Sequence, residues 1–277
     1  MQLDRLSTIL DRFTLEAGTF FSGALCGVTR FGDDGDQSGH IHMLRQGTLR
    51  LYLADGSASL VHAPSLMCFP RAVPHRFEID DGAEAHLTCA SVRFQGGAHN
   101  PVAQAMPSVL ILPLDELGEA RPLLDWLFAE AVEQGSGRTA VLNRLFELLM
   151  IQLLRYLLRE GRVKSGMLAG LADPRLMHAL DAVHTRPAAA WTIESMAEQA
   201  GMSRARFAAH FKAVLDTTPL DYLTHWRITL AQQMLKAGQP MKWVANEVGY
   251  ESPSALARAF RRKLGMSPSE WFNQHKA

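Results

Sequence analysis

Residues 193–223, IESMAEQAGMSRARFAAHFKAVLDTTPLDYL, and residues 241–272, MKWVANEVGYESPSALARAFRRKLGMSPSEWF, carry one pattern written twice. Ser203, Phe207, Phe211, Leu215, Pro219 and Tyr222 recur 49 positions on as Ser252, Leu256, Phe260, Leu264, Pro268 and Trp271. Ala197 and Gly201 recur 48 positions on as Ala245 and Gly249, so the second copy has one extra residue in its turn. Each copy reads as a short helix ending at a glycine that can take positive φ, followed by a Ser at the N-cap of a second helix. That helix sets Phe207, Phe211 and Leu215, or Leu256, Phe260 and Leu264, on one apolar stripe at i, i+4, i+8. This is helix-turn-helix grammar, in which the second helix enters the major groove of DNA.

At about 100° per residue, the side opposite the first stripe carries Ala205, Ala209 and Lys212, with Arg206 on its flank. The second presents Ser254, Arg258, Arg261 and Arg262. Arginine reads guanine through two parallel hydrogen bonds, and arginine or lysine neutralises phosphate. The expected base contacts are therefore Arg258 and Arg206, followed by Ser254 and Arg204. Arg261, Arg262 and Lys212 meet phosphates, and Ser203 and Ser252 hold the helix starts. Ala205, Ala208 and Ala209 leave the first recognition helix poor in hydrogen bonding, which suits shape or thymine-methyl readout.

The doublet resembles the DNA-binding domain of the AraC/XylS family of bacterial transcription regulators. The likeness lies in the AxxAGMS turn, the tandem spacing and the closing GMSPSEWF, and it covers about the last hundred residues. One departure is Asp216, where the family usually has the Gly that Gly265 supplies in the second copy. Asp tolerates the left-handed conformation better than most residues, so a strained but similar cap is expected. The resemblance implies a long helix joining the two units. Pro219–Lys236 suits it, with Thr217 or Thr218 as cap, Pro219 at its start and Gly238 as stop. Such a helix would hold the recognition helices about 34 Å, one DNA turn, apart on one face of the duplex.

The chain has 277 residues, 47% of them hydrophobic, and no net formal charge. The charge is uneven: residues 171–277 hold 13 Lys and Arg against 9 Asp and Glu, while residues 1–170 hold 15 against 19. A basic module fused to an acidic one fits a nucleic-acid binder with a second domain, and lacks the strong positive charge of an architectural DNA protein. MQLDRLSTILDRF is too charged for a signal peptide and reads as a short amphipathic helix. The most apolar run, Leu145–Leu158, contains Glu147, Gln152 and Arg155 and is too short to span a membrane. Three cysteines argue against a disulfide framework and for a reducing cytoplasm.

From Phe20 to Leu112, short β-branched and apolar segments alternate with Gly, Asp and Pro, which predicts an antiparallel barrel or sandwich. Ala54-Asp55-Gly56 is a hairpin signal. His40 and His42 lie on one face of a strand, Gln46 follows, and Pro70-Arg71-Ala72-Val73-Pro74-His75 comes later. These segments resemble the two metal motifs of the cupin barrel, HxHxxxE and PxGxxH, in the form found in the sensor halves of certain AraC-type regulators. By position, the resemblance implies His40, His42, Gln46 and His75 as ligands of one divalent Zn, Ni or Fe ion, with Gln46 replacing the usual Glu and Ala72 the usual Gly. Losing the carboxylate weakens such a site. The alternative is a degenerate cupin whose histidines line a pocket for an organic effector. Cys26 and Cys89 fall on strands that would neighbour each other, either as small hydrophobes or as a redox pair.

Residues 114–134 and 139–159 carry apolar residues at helical spacing and form an antiparallel pair through Gly135-Ser136-Gly137. The second helix is apolar around most of its circumference. It predicts either a homodimer interface or an internal core helix. Lys164–Asp173 reads as an interdomain linker, with Pro174–His184 opening the last domain. The expected architecture is α+β: a cupin-like domain over 1–112, a helical pair and linker over 113–170, and an all-α tandem helix-turn-helix domain over 171–277. The function expected is a sequence-specific regulator that binds double-stranded DNA, engages RNA polymerase if it activates, and senses a small molecule, metal or oxidant through its N-terminal domain. The competing reading is a cupin-type metal-dependent enzyme, a dioxygenase or isomerase, with a helical appendage. No other acid–base or nucleophile constellation is present to support it.

Overall fold

The computed structural model describes residues 14–32, 38–95, 100–133, 135–162 and 166–274, with Leu6, Ser7 and Leu10. The amphipathic helix expected at the N-terminus falls largely outside them, as do Lys164 and Ser165 of the expected linker. The described chain divides into two compact units: 14–95 with 102–162, and 166–274 together with Leu6, Ser7, Leu10, Asn100 and Pro101.

The first unit begins with eight strands: β1 (Leu15–Leu25), β2 (Val28–Phe31), β3 (Gly39–Gln46), β4 (Thr48–Leu53), β5 (Ala58–His62), β6 (Ser65–Phe69), β7 (His75–Glu78) and β8 (Ala85–Phe94). A short helix α1 (Pro101–Ala105) leads to β9 (Leu110–Pro113), a 3-10 segment (Leu114–Ala120), α2 (Arg121–Val132) and α3 (Arg138–Arg159). The strands form two antiparallel sheets, in the orders β1-β8-β3-β6-β9 and β2-β7-β4-β5. The predicted barrel is thus a sandwich: among the described residues no ladder joins the two sheets into a closed ring. Period-two alternation sends Leu49, Leu51, Phe69, Phe77, Leu87 and Cys89 into one core between the sheets. At Ala54–Gly56 the expected hairpin forms, with Gly56 at φ 83° donating to the Leu53 carbonyl at 3.1 Å.

Helix α3 is covered twice over. Leu142, Leu145, Phe146, Leu149 and Leu153 are buried, with α2 on one side and β1 on another. Its Asn143 Oδ1 accepts from Thr19 N at 2.7 Å and Glu147 Oε1 from Ala17 N at 3.3 Å. Those amides belong to an edge strand whose outward hydrogen bonds need partners. The apolar breadth of α3 therefore follows mostly from packing within its own unit; Leu148 of α3 stays exposed, as do Trp126 and Val132 of α2. The first helix of this pair was expected to run unbroken from 114. It is instead kinked at Leu117 (φ −95°, ψ 38°) and restarts where Pro122 occupies the first turn.

The second unit is all helix: α4 (Met167–Ala172), α5 (Met177–Thr185), α6 (Ile193–Gln199), α7 (Arg204–Leu215), α8 (Pro219–Lys236), α9 (Met241–Glu247), α10 (Pro253–Leu264) and α11 (Pro268–Gln274). The linker expected over Lys164–Asp173 is largely α4. Gly170 there is a packing residue: a Cβ on it would lie 2.6 Å from Leu180 and 2.9 Å from Leu215. Asp173 accepts from the amides of Arg175 and Leu176 and caps the turn into α5.

The joining helix α8 has the expected bounds. The Thr218 hydroxyl accepts from Asp221 N at 3.3 Å, Pro219 fills its first position, and Gly238 stops it at φ 78°. Asp216 ends α7 at φ 58°, ψ 21°, the one non-glycine with positive φ among the described residues. Its carboxylate also lies at the negative end of the helix dipole. Asp216→Gly should therefore stabilise the C-terminal unit by about 1 kcal/mol, read as a higher denaturant midpoint. A lower midpoint would contradict the strained cap.

Candidate nucleic-acid interface and histidine cluster

The two helix-turn-helix copies are built alike. In the first, Thr192 and Ser195 form a reciprocal capping box at the start of α6. Gly201 takes φ 62° and Gly249, its counterpart, φ 82°, the conformation that the turn into each second helix requires. Ser252 accepts from Ala255 N at 3.2 Å. Ser203 occupies the same N-cap position, but its hydroxyl makes no cap bond. It is exposed, so water can serve the free amides there.

Phe207, Phe211 and Leu215 are buried along α7, as are Leu256, Ala259 and Phe260 along α10. The rings interlock: Phe211 meets Phe207 at 5.4 Å and Tyr222 at 5.6 Å, and Phe260 meets Trp271 at 5.9 Å. That packing turns the opposite faces outward. Arg204, Arg206 and Lys212 of α7 are exposed, as are Ser254, Arg258, Arg261 and Arg262 of α10. Arg204 pairs with Glu194 at 2.6 Å, with both side chains largely solvated. A surface pair of this kind is worth under about 1 kcal/mol and can be exchanged for DNA. Among the described residues, Arg206, Arg258 and Lys212 have no ion-pair partner.

Arg227 of α8 gave no signal in the sequence, because a lone arginine in an amphipathic helix looks solvated. Its guanidinium donates to the carbonyls of Pro187 and Ala189, each at 2.8 Å, and lies 5.7 Å from the Tyr250 ring centroid. Gly249 makes room for it: a Cβ there would approach Arg227 Nη2 to 2.8 Å. One side chain thus ties the loop before α6 to the turn before α10. A second tie joins α7 to the start of α5, where His210 Nε2 sits 2.8 Å from Asp173 Oδ2.

The histidine cluster lies in the first unit. His40 and His42 share a face of β3, and His75 starts β7. Their ligand nitrogens all lie within 4.8 Å of one another, and His42 Nε2 is 2.9 Å from His75 Nε2. His75 Nδ1 donates to the Val73 carbonyl at 2.7 Å, which leaves Nε2 with its lone pair facing His42. The His75 ring stacks on Phe69 at 3.8 Å, with Phe31 on its other side at 5.2 Å. His42 meets the Phe77 edge at 4.8 Å. These aromatic walls fix the imidazoles. No motif pointed to them, though alternation in HRFE put Phe77 on the same face as His75.

Burial, and then the neighbouring His75 and His40, hold the His42 imidazole well below its ordinary range. Burial likewise brings His75 down to about 4, against the Val73 carbonyl, which works the other way. Both rings are neutral at neutral pH and offer lone pairs. Three neutral imidazoles with two facing Nε2 atoms suit a divalent ion. His42 Nδ1, buried with no partner among the described residues, is the one polar atom the arrangement leaves unserved.

Gln46 is not part of this cluster. The ladder between β3 and β8 shifts register between Leu44 and Gln46, and that irregularity leaves Gln46 exposed at the strand end. The cysteine pair is corrected too. Strands β1 and β8 are neighbours, but Cys89 faces Phe21, five positions from Cys26, or about 16 Å along a strand. A disulfide needs Cα atoms within about 7 Å. Cys26 is exposed and Cys89 buried, and burial raises the Cys89 thiol away from its reactive form.

A family profile described as Cupin matches residues 4–159, and one described as Helix-turn-helix domain matches residues 196–274. An AraC-like transcription regulator of Streptomyces lividans is 34% identical over 207 residues, covering 73% of this chain and 68% of that protein. A second, from Streptomyces antibioticus, is 43% identical over 144 residues, 51% of this chain and 48% of its own, so the match spans about half of that relative. The HTH-type transcriptional regulator AlkR of Acinetobacter baylyi is 26% identical over 306 residues, covering 98% of this chain and 100% of that one.

Proposed function

Since this chain belongs to the AraC-family transcription regulators and carries a cupin-type N-terminal domain, we propose that α7 and α10 occupy successive major-groove segments of one promoter site. The observation that carries this is the outward basic face on each of two helices that bury matched residues, Phe207 and Phe211 in one, Leu256 and Phe260 in the other. Arg206 and Arg258 reach base edges, while Lys212, Arg261 and Arg262 neutralise phosphates. Arg258→Ala should cost about 1–3 kcal/mol of binding and relax selectivity at one base pair, whereas Lys212→Ala should weaken all sites alike and lower the salt slope by about one. Mobility shifts on DNA selected from random pools by the full chain test both. Wild-type tightness and selectivity in Arg258→Ala would refute the face assignment.

The N-terminal unit is the sensor, and its ligand acts by binding two states of the regulator unequally. His40, His42 and His75 hold one Zn, Ni or Fe ion. The cation would serve as ligand or as anchor for one, and the residues' part is to stay neutral, oriented and walled from water. Zinc added to chelator-treated protein at about 100 times its dissociation constant should stabilise the unit by about 2.7 kcal/mol. His42→Ala should lose that shift and the bound metal by elemental analysis. An equal shift in the variant would exclude the cluster. The protein acts in the cytoplasm as a homodimer through the exposed Trp126, Val132 and Leu148 of α2 and α3, and, if it activates, engages RNA polymerase at the promoter. Among the described residues no helix is long and apolar enough to cross a membrane.

A further inference from the structure

The outer face of the smaller sheet carries a row of side chains that neither DNA nor the histidine cluster explains. Arg30 of β2 stands opposite Arg76 of β7, and Arg76 stands opposite Tyr52 of β4. Their neighbours Phe31, Phe77 and Leu51 pack into the core, so Arg30, Arg76 and Tyr52 share the opposite side. Like charges directly across a ladder repel, and here two guanidinium groups are paired with too little negative charge between them. The Arg76 guanidinium lies 4.3 Å from the Tyr52 ring centroid. Its Nη2 is 3.6 Å from Glu78 Oε2, longer than a hydrogen bond. Its Nε is shielded from solvent and meets no acceptor among the described residues. Arg30 is exposed and makes no ion pair among them. In the next row Arg50 is taken up by Asp80 at 2.6 Å, so that carboxylate is not available to Arg30 or Arg76.

Beside this row runs a groove of about 320 Å³, walled by Leu53, Pro74 and Tyr52 and flanked by both arginines. That volume suits a small organic molecule. We infer that the groove binds an organic carboxylate, its carboxylate bridging Arg30 and Arg76 and its apolar body lying along Leu53, Pro74 and the Tyr52 ring. A carboxylate supplies the planar pair of acceptors that guanidinium groups match, and it removes the repulsion across the ladder. Strand β7 then carries an outward ligand contact at Arg76 next to the inward His75. His75 also lines one end of the groove, so the two sites adjoin; the arginine contacts on the outer face do not depend on a bound metal.

The test uses the full chain, treated with chelator, and 4-fluorobenzoate as the probe, followed by fluorine NMR. The probe signal should broaden on adding protein and sharpen again on adding octanoate, while 4-fluorobenzamide, which has the same ring without the charge, should not respond. Arg30→Gln and Arg76→Gln should each weaken binding at least tenfold, with circular-dichroism melts showing that the variants are folded. Absence of binding by both 4-fluorobenzoate and octanoate, equal binding of the amide, or folded arginine variants that bind as the wild type does would each overturn the assignment.

Discussion

Phe260→Ala is expected to destabilise the C-terminal unit by about 3–5 kcal/mol and to erase protection of one half of the DNA site while sparing the other. The ring is fully buried, packs against Trp271, and is the middle residue of the α10 stripe. Removing it leaves a cavity that helices held on both sides cannot close. The loss is large beside a typical total stability of about 5–15 kcal/mol. Phe211 holds the same place in α7, flanked by Phe207 and Tyr222. Phe211→Ala should therefore spare the half that Phe260→Ala loses. Denaturant titration with footprinting of each variant reads both effects. A cost under about 1 kcal/mol, or equal loss of both halves from either change, would mean that the copies do not hold their recognition helices separately.

Arg227→Ala should cost about 2–3 kcal/mol, because it strips a charged donor from two carbonyls at once and leaves the Pro187 and Ala189 oxygens without that partner. Its functional effect should exceed its effect on folding. Arg227 sits on α8 between the two copies, and Gly249, at the start of the second turn, is shaped around it. Without it, the relative setting of α7 and α10 loosens, so affinity for the full site should fall further than affinity for either half-site alone. Arg227→Lys keeps the charge but cannot span two carbonyls with a planar fork, and should behave nearly as badly. Parallel losses on full and half sites would show that Arg227 stabilises the unit without fixing its geometry.

Much of the C-terminal unit was legible because its signals are local. A cap, a stripe at i, i+4, i+8 and a glycine in the turn act within a few residues, and their repetition fixed the bounds of α8. Asp216 was readable for the same reason. Features that depend on distant partners stayed hidden. Whether Gly170 served a flexible linker or a tight contact depended on Leu180 and Leu215. Gln46 looked like a ligand by spacing, but a single register shift in the β3–β8 ladder moved it away from its expected place. Cys89 lies on β8, but Cys26 falls one residue past the end of the neighbouring β1, and pairing register is set by the whole ladder and not by either segment. The aromatic walls around His75 come from three strands, and no single segment announces such an enclosure.

The most direct test of the central claim is a hydroxyl-radical footprint of the full chain on a selected DNA site, repeated with Arg206→Ala and Arg258→Ala. Two protected segments should appear on one face of the duplex, centred about one helical turn, 10–10.5 base pairs, apart, with each variant weakening a different one. A single segment lost to both variants, or two segments on opposite faces of the duplex, would contradict the reading of this chain as a regulator that grips one site with two helices.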